Sequence, residues 1–444
     1  MALLIVVVFI LGYTLIALEH SLKIDKAAAA LVTGVLCWLV LLFGIESMPG
    51  YAEIDRAAFP DIHAFIDEAL FEHLGEIAGI LFFLMGAMTI VELVDQHDGF
   101  KVITDKITTK DRVRLLWVIS WVAFFLSALL DNLTTAIIMC ALIRRIVKKQ
   151  ENVWLLGGFV VIAANAGGAW SPIGDVTTIM LWIGGQITTF HVMKVVLAPS
   201  VISLLVPLAI ASHYLRGRVE TPKLAEEEMK DKIVFSPWEQ YAMFAIGGLG
   251  LLFVPVFKAI THYPPFMGVL LSVGFIWFIT EFLHRTKNST IRHEFSVASM
   301  LHRIDMPSIL FFLGILLAVG ALDTSGHLHL LSKTLDETFG SIYIINGLIG
   351  VLSAIVDNVP LVAATMGMYE MTEFPPDNDF WTLLAYCAGT GGSMLIIGSA
   401  AGVASMGILK IEFFWYLRHV GWYALIGYLA GIIAFFLQET YILN

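Results

Sequence analysis

Ser127-Ala128-Leu129-Leu130-Asp131-Asn132 returns later in the chain as Ser353-Ala354-Ile355-Val356-Asp357-Asn358. Each Asp-Asn pair stands inside an apolar stretch, 113–147 and 341–371. The match is not isolated. Ile80-Leu81-Phe82-Phe83-Leu84 returns as Ile309-Leu310-Phe311-Phe312-Leu313, and Gly167-Gly168 as Gly391-Gly392. The three offsets are 229, 226 and 224 residues. Such a slow drift is the trace of a duplication followed by small deletions.

The chain is 58% hydrophobic and 14% charged, against about 25% charge in soluble domains. Soluble two-layer folds are excluded, and an all-α membrane protein is expected. The net charge of −11 argues against a nucleic-acid partner. Cys37, Cys140 and Cys387 lie in apolar segments without metal-ligand spacing. The opening Met1-Ala2-Leu3-Leu4 has no basic run, and no small-residue cleavage site follows before Glu19, so this stretch reads as a first span.

Spanning segments of about 20 apolar residues are expected at 2–19, 27–44, 77–94, 152–184, 189–215, 236–256, 265–283, 306–322, 380–409 and 412–438. Lys and Arg orient the loops. Segment 45–76 is acidic (Glu46, Glu53, Asp55, Asp61, Asp67, Glu68, Glu72, Glu76), with Arg56 as its one Lys or Arg, and should be external. Segment 95–114 carries Lys101, Lys106, Lys110, Arg112 and Arg114 and should be cytoplasmic. Arg144, Arg145, Lys148 and Lys149 follow 113–147, so that stretch enters and leaves on the inner face as a re-entrant hairpin with short limbs. Asp323, Asp336 and Glu337, with Lys333, precede 341–371, and Glu370 at its end is followed by Glu373, Asp377 and Asp379, so both its ends should be external. Segments 216–235 (Arg216, Arg218, Lys223, Lys230, Lys232) and 284–303 (His284, Arg285, Lys287, Arg292, Arg303) are basic and internal.

One hairpin opens inward and the other outward, the pattern of inverted-topology repeats. The expectation is a first repeat at 1–215, with hairpin 113–147 and broken helix 152–184, and a cytoplasmic linker at 216–235. A second repeat follows at 236–444, with hairpin 341–371 and broken helix 380–409.

Carboxylates in hydrocarbon are costly and mark functional sites by default, with transporters as the leading class. Residues 163–178 read Ala-Ala-Asn-Ala-Gly-Gly-Ala-Trp-Ser-Pro-Ile-Gly-Asp-Val-Thr-Thr. Gly167, Gly168, Pro172 and Gly174 should break a helix in mid-membrane and put Asp175 at the start of its second half. Freed backbone groups must then face protein or a wet cavity. The second half answers with Gly389-Thr390-Gly391-Gly392-Ser393 and Gly398-Ser399. Asp175 maps onto Ser399, so the two halves need not bind the same ions.

Asp131, Asp175 and Asp357 supply charge. Asn132, Asn358, Thr134, Thr135 and Ser127 or Ser353 supply neutral oxygens. A carboxylate in a low-dielectric site holds a proton or a metal ion, but not both well. That competition suffices for antiport. The plainer reading makes each Asp a helix N-cap, and capping and ion binding are compatible. Glu76 and Asp305, at equivalent positions, read as interfacial caps. His63, His73, His97, His327 and His329 read as solvated loop residues.

These motifs resemble sodium/proton antiporters of the NhaD type, in the ion-transporter superfamily that includes arsenite and dicarboxylate carriers. Ser-Ala-x-x-Asp-Asn-x-Thr-Thr, Asn-Ala-Gly-Gly-Ala-x-Ser-Pro-Ile-Gly-Asp-Val-Thr-Thr and Asp-Asn-Val-Pro-Leu-Val-Ala-Ala carry the resemblance, and the middle motif is the most specific. It implies inverted repeats, two re-entrant hairpins, two broken helices, about ten spans, a homodimer in a bacterial inner membrane and elevator-type motion. It implies hairpin-tip ligands at Asp131, Asn132, Thr134, Asp357 and Asn358. Broken-helix ligands fall on Ser171, Asp175 and Thr177, with Ser393 and Ser399 in the second break. Na+ (or Li+) and H+ are the implied cargo, exchanged through Asp131, Asp175 and Asp357, with no cofactor and no enzymatic activity.

Two other readings compete. A dicarboxylate or other anion carrier of the same fold would carry Ser-Asn-Thr at the hairpin tips, whereas two tip aspartates repel a dianion. An intramembrane aspartyl protease would need Gly-x-Gly-Asp, whereas Pro172-Ile173-Gly174 precedes Asp175.

Overall fold

The computed structural model describes residues 1–54, 59, 61–220, 235–285 and 295–443. Asp55, Arg56, Lys223, Lys230, Lys232, Lys287 and Arg292, and with them most of the expected linker, lie outside the described residues. The helices that carry the fold are α1 (Ala2–Ala17), α2 (Lys26–Gly44), α3 (Ile62–Gln96), α4 (Arg112–Leu130), α5 (Asn132–Ile146), α6 (Gln150–Ala169), α7 (Val176–Ile183), α8 (Thr189–Tyr214) and α9 (Pro237–Thr261). They continue with α10 (Pro265–His284), α11 (Met306–Thr324), α12 (His327–Phe339), α13 (Ile342–Leu352), α14 (Asn358–Met368), α15 (Asp379–Gly391), α16 (Ala400–Leu409) and α17 (Trp422–Gln438). Among the described residues nine helices are long and apolar enough to cross a membrane, or ten if α12 and α13, bent by 118°, form one span. The protein is an all-α, multi-pass membrane protein.

Short polar side chains start many of these helices. Asp111, Asp131, Asp175, Asp305, Asp357 and Ser399 each accept a backbone N–H at the first turn of α4, α5, α7, α11, α14 and α16. Such caps satisfy donors that lipid cannot.

The first stretch is a hairpin whose ends meet on one strip of backbone. The Arg112 amide donates to the Gly217 carbonyl (3.1 Å), that of Val219 to Lys110 (2.8 Å) and that of Lys148 to Glu220 (2.9 Å). In the second hairpin the Tyr369 hydroxyl, just past α14, donates to Asp336 (3.0 Å), which lies just before α13. The broken helices run antiparallel. Gln150 and Trp154, at the start of α6, donate to the Leu409 carbonyl at the end of α16. The Asp377 amide, before α15, donates to the Gln186 carbonyl after α7. Lys148 and Asp377 therefore stand at opposite ends of the molecule.

Matching glycines seat each broken helix on its hairpin. A Cβ on Gly167 would strike the Phe124 carbonyl, and one on Gly391 the Gly350 carbonyl. Matching serines reinforce them: Ser127 donates to Ala164 (2.6 Å), and Ser353 to Gly350 (2.8 Å) and Ala388 (3.3 Å).

The helices pack as two bodies. One holds α1, α2, α3, α9, α10 and α11; the other holds α4 to α8, α13 and α15 to α17. α14 lies against both, touching α11 on one side and α7 and α15 on the other.

Four expectations need correction. Residues 62–76 are not loop but the first turns of the 35-residue α3, capped by Asp61; their acidic side chains hide the helix from an apolar window. Glu76 is accordingly mid-helix, while Asp305 is a cap. The first hairpin's limbs are 19 and 15 residues, so the entering limb is not short, in contrast to the 11 and 11 of the second. Among the histidines, His63 and His73 lie on α3 and His327 and His329 on α12. His97 is buried and stacks on His284 at 5.1 Å, under Phe235 and Phe295.

Candidate functional site

Asp131, Asn132, Asp175, Asp357 and Asn358, spread over more than half the chain, line one cavity of about 50 Å³. The second body and the hairpin tips supply these residues. The first body supplies Lys26, Leu84, Met88, Ser308 and Phe312. The cavity thus lies between the two bodies.

Asp131 terminates α4 and caps α5. Its carboxylate accepts the Thr134 amide (2.7 Å) and hydroxyl (2.9 Å). Its backbone stands at φ 135°, ψ 166°, a region costing a non-glycine residue about 1–3 kcal/mol. Asp357, its counterpart, has φ −49° and bears no such strain. Asp175 is 1% exposed. It accepts the Thr177 amide (3.4 Å) and, across the two halves, the Asn358 side chain (3.3 Å). Ser399 adopts nearly the same cap geometry (φ −147°, ψ 155°, against −147°, 144° for Asp175). The two break points are therefore alike in backbone and unlike in charge.

Asn165 ties the breaks together. Its side chain accepts from Asn132 (3.1 Å) and donates to Ser393 and Ser399 (2.9 Å each), all of them buried. Thr177 is fully buried beside Asp175, and the buried Thr135 hydroxyl has no hydrogen-bond partner among the described residues.

Ser171 does not join this group. It donates to the Ala128 carbonyl (2.5 Å) and lines a separate apolar cavity with Trp170, Pro172 and Met193. Ser127 and Ser353 likewise spend their hydroxyls on backbone carbonyls.

Three features escape the sequence reading. Asn165 sits in the quoted motif, and its one signal is an amide in an apolar helix. Lys26 stands just before an expected span, and its ammonium reaches Asp357 at 3.3 Å. The third is a vestibule of about 620 Å³, lined by Glu72, His73, Glu76 and Asp323 along with Ile80, Met180, Leu316 and Ala363. Ile80, Leu316 and Ala363 lie one turn from Leu84, Phe312 and Val359 of the aspartate cavity, and Met180 adjoins its Ile179. The vestibule is on the Asp377 side, where the second hairpin opens.

Carboxylates gathered where helices break, inside a multi-pass membrane protein, mark a transporter. Comparison with known proteins supplies the family. A family model described as "Citrate transporter" matches residues 7–384. Sodium/proton antiporter 1 of Arabidopsis thaliana is 50% identical over 434 residues, covering 96% of this chain and 71% of that protein. Sodium/proton antiporter 2 of the same plant is 46% identical, covering 96% and 97%. Na(+)/H(+) antiporter NhaD of Vibrio cholerae is 31% identical, covering 96% and 89%. The chain belongs to this family of secondary transporters and is not an enzyme.

Proposed function

We propose that the protein exchanges Na+ (or Li+) for H+ across the membrane by alternating access. The observation that carries this reading is the convergence of Asp131, Asp175 and Asp357 on one cavity between two helix bodies. Three carboxylates suit a small cation and repel a dicarboxylate, and the relatives named as sodium/proton antiporters support the same cargo. In a site this buried, a proton and a Na+ compete for the same oxygens.

Asn132, Asn358, Thr134 and Thr177 complete the ion's neutral oxygens in this reading, while Asn165, Ser393 and Ser399 hold the second break beside it. Ser171 is left out, because its hydroxyl is spent on Ala128. Asp175 is the coupling carboxylate of choice, since its counterpart Ser399 has no charge to exchange.

The two halves are inverted repeats, 1–215 and 236–444. The antiparallel broken helices and the matched Gly167 and Gly391 contacts support this. The basic ends of the first hairpin face the cytoplasm, and the acidic vestibule is the external mouth. The second body moves against the first. The protein sits as a homodimer in a bacterial inner membrane, with exposed apolar residues of α9 and α10 such as Leu249, Phe275 and Phe278 available to lipid and to a second copy.

Purified protein in proteoliposomes, with a trapped pH dye, tests the exchange. An imposed Na+ gradient should drive protons the opposite way; a citrate or succinate gradient should not. Proton movement with a dicarboxylate and none with Na+ would overturn the proposal.

A further inference from the structure

Lys26 is the first residue of α2, after the cap Asp25. A cation there is opposed by the positive end of the helix dipole, so local structure gives no reason for it. Its partners do. The Lys26 ammonium lies 3.3 Å from Asp357 and 4.4 Å from the centre of the Phe311 ring. It faces the same cavity as Asp131 and Asp175. The pair is only partly open to solvent, at 25% and 19% side-chain exposure, so water screens it less than a surface pair.

The two partners belong to different parts of the machine. Lys26 is carried by α2, which packs on α1 and α11 of the first body. Asp357 is the tip of the second hairpin. A cavity of about 50 Å³ has room for only a few waters. An ammonium and a metal ion repel one another there and compete for the one carboxylate.

We propose that Lys26 is a tethered competitor of the transported cation. Its ammonium occupies Asp357 in the empty carrier and ties the hairpin tip to the first body. Na+ gains Asp357 only by displacing it. This rests on the Na+ exchange reading and adds a specificity-determining residue to it. A cation that binds the cavity weakly fails to dislodge the lysine, and a filled site is by the same act an untied one.

Direct Na+ binding to purified protein tests the proposal separately from transport. Na+-dependent thermal stabilisation should report a tighter apparent Na+ affinity in Lys26→Gln and Lys26→Met, by about two- to fivefold for a partly screened pair. Lys26→Arg should return it toward the wild-type value. In proteoliposomes the same two neutral variants should show a lower Na+ KM without a higher kcat, and Na+ should leak with fewer protons in exchange. Unchanged or weaker Na+ binding in both neutral variants would overturn the proposal. If wild-type protein binds Na+ but moves no protons for it, the exchange reading fails while the competition still stands or falls on the binding data.

Discussion

Asn358 donates to Asp175 at 3.3 Å, although 183 residues separate them. A hairpin tip of one half thus holds the break-point carboxylate of the other. Asp175→Asn keeps an amide able to meet Asn358 and to cap α7, and Asn caps about as well as Asp. We expect the variant to fold with a thermal midpoint close to wild type and to lose Na+-driven proton movement. Wild-type exchange rates in the folded variant would reduce Asp175 to a cap and move the coupling to Asp131 or Asp357.

Asn165→Ala removes the one side chain that bonds Asn132, Ser393 and Ser399. Buried polar groups left without partners cost about 1–3 kcal/mol each. The expected result is a clear drop in the detergent unfolding midpoint together with a raised Na+ KM. A midpoint drop with unaltered KM would make the hub purely structural.

Gly391→Ala brings a methyl against the Gly350 carbonyl. Overpacking against backbone costs typically about 1–3 kcal/mol, and folded yield should fall. Gly75→Ala is the matched control: nothing lies within 4 Å of its would-be Cβ. An exposed helical glycine replaced by alanine gains about 0.5–1 kcal/mol, so that variant should melt slightly higher.

Cysteines placed at Lys148 and at Asp377 should react with a membrane-impermeant maleimide from opposite sides. Lys148 bonds to the strip that also holds the start of α4, and Asp377 to Gln186 and Thr188 at the other end. Labelling of both from one side of sealed vesicles would rule out the inverted arrangement.

Glu76→Gln combined with Asp323→Asn removes two carboxylates from the vestibule. Acidic clefts raise the local cation concentration in a salt-dependent way. Na+ uptake from the vestibule side should show a raised KM at low ionic strength, with the difference shrinking in choline chloride.

What was legible in the sequence follows from cost. Asp131, Asp357 and the glycine-broken segments stand out because lipid tolerates neither stray charge nor unpaired backbone, so few readings survive. The start of α3 was hidden for the opposite reason. Asp67, Glu68, Glu72 and Glu76 give residues 62–76 the profile of a water-exposed loop, and only the tertiary structure puts Glu72 and Glu76 in the wall of a vestibule. Lys26 and Asn165 act through partners 331 and 228 residues away, and no local pattern encodes such a reach. Ser171 shows the converse: a motif serine spent on holding Ala128.

The length of α3 carries one more consequence. Its 35 residues span about 52 Å, against about 30 Å of hydrocarbon. Hiding it would take a tilt of about 55°, beyond the usual range of 0–40°. The turns bearing Glu72 and Glu76 therefore stand among the phospholipid headgroups. The ion concentration felt at that mouth is set by the charge of the leaflet as well as by the bulk medium. The same polypeptide should thus run at different speeds in phosphatidylglycerol-rich and zwitterionic bilayers at identical sodium concentrations, making membrane composition a setting of the carrier.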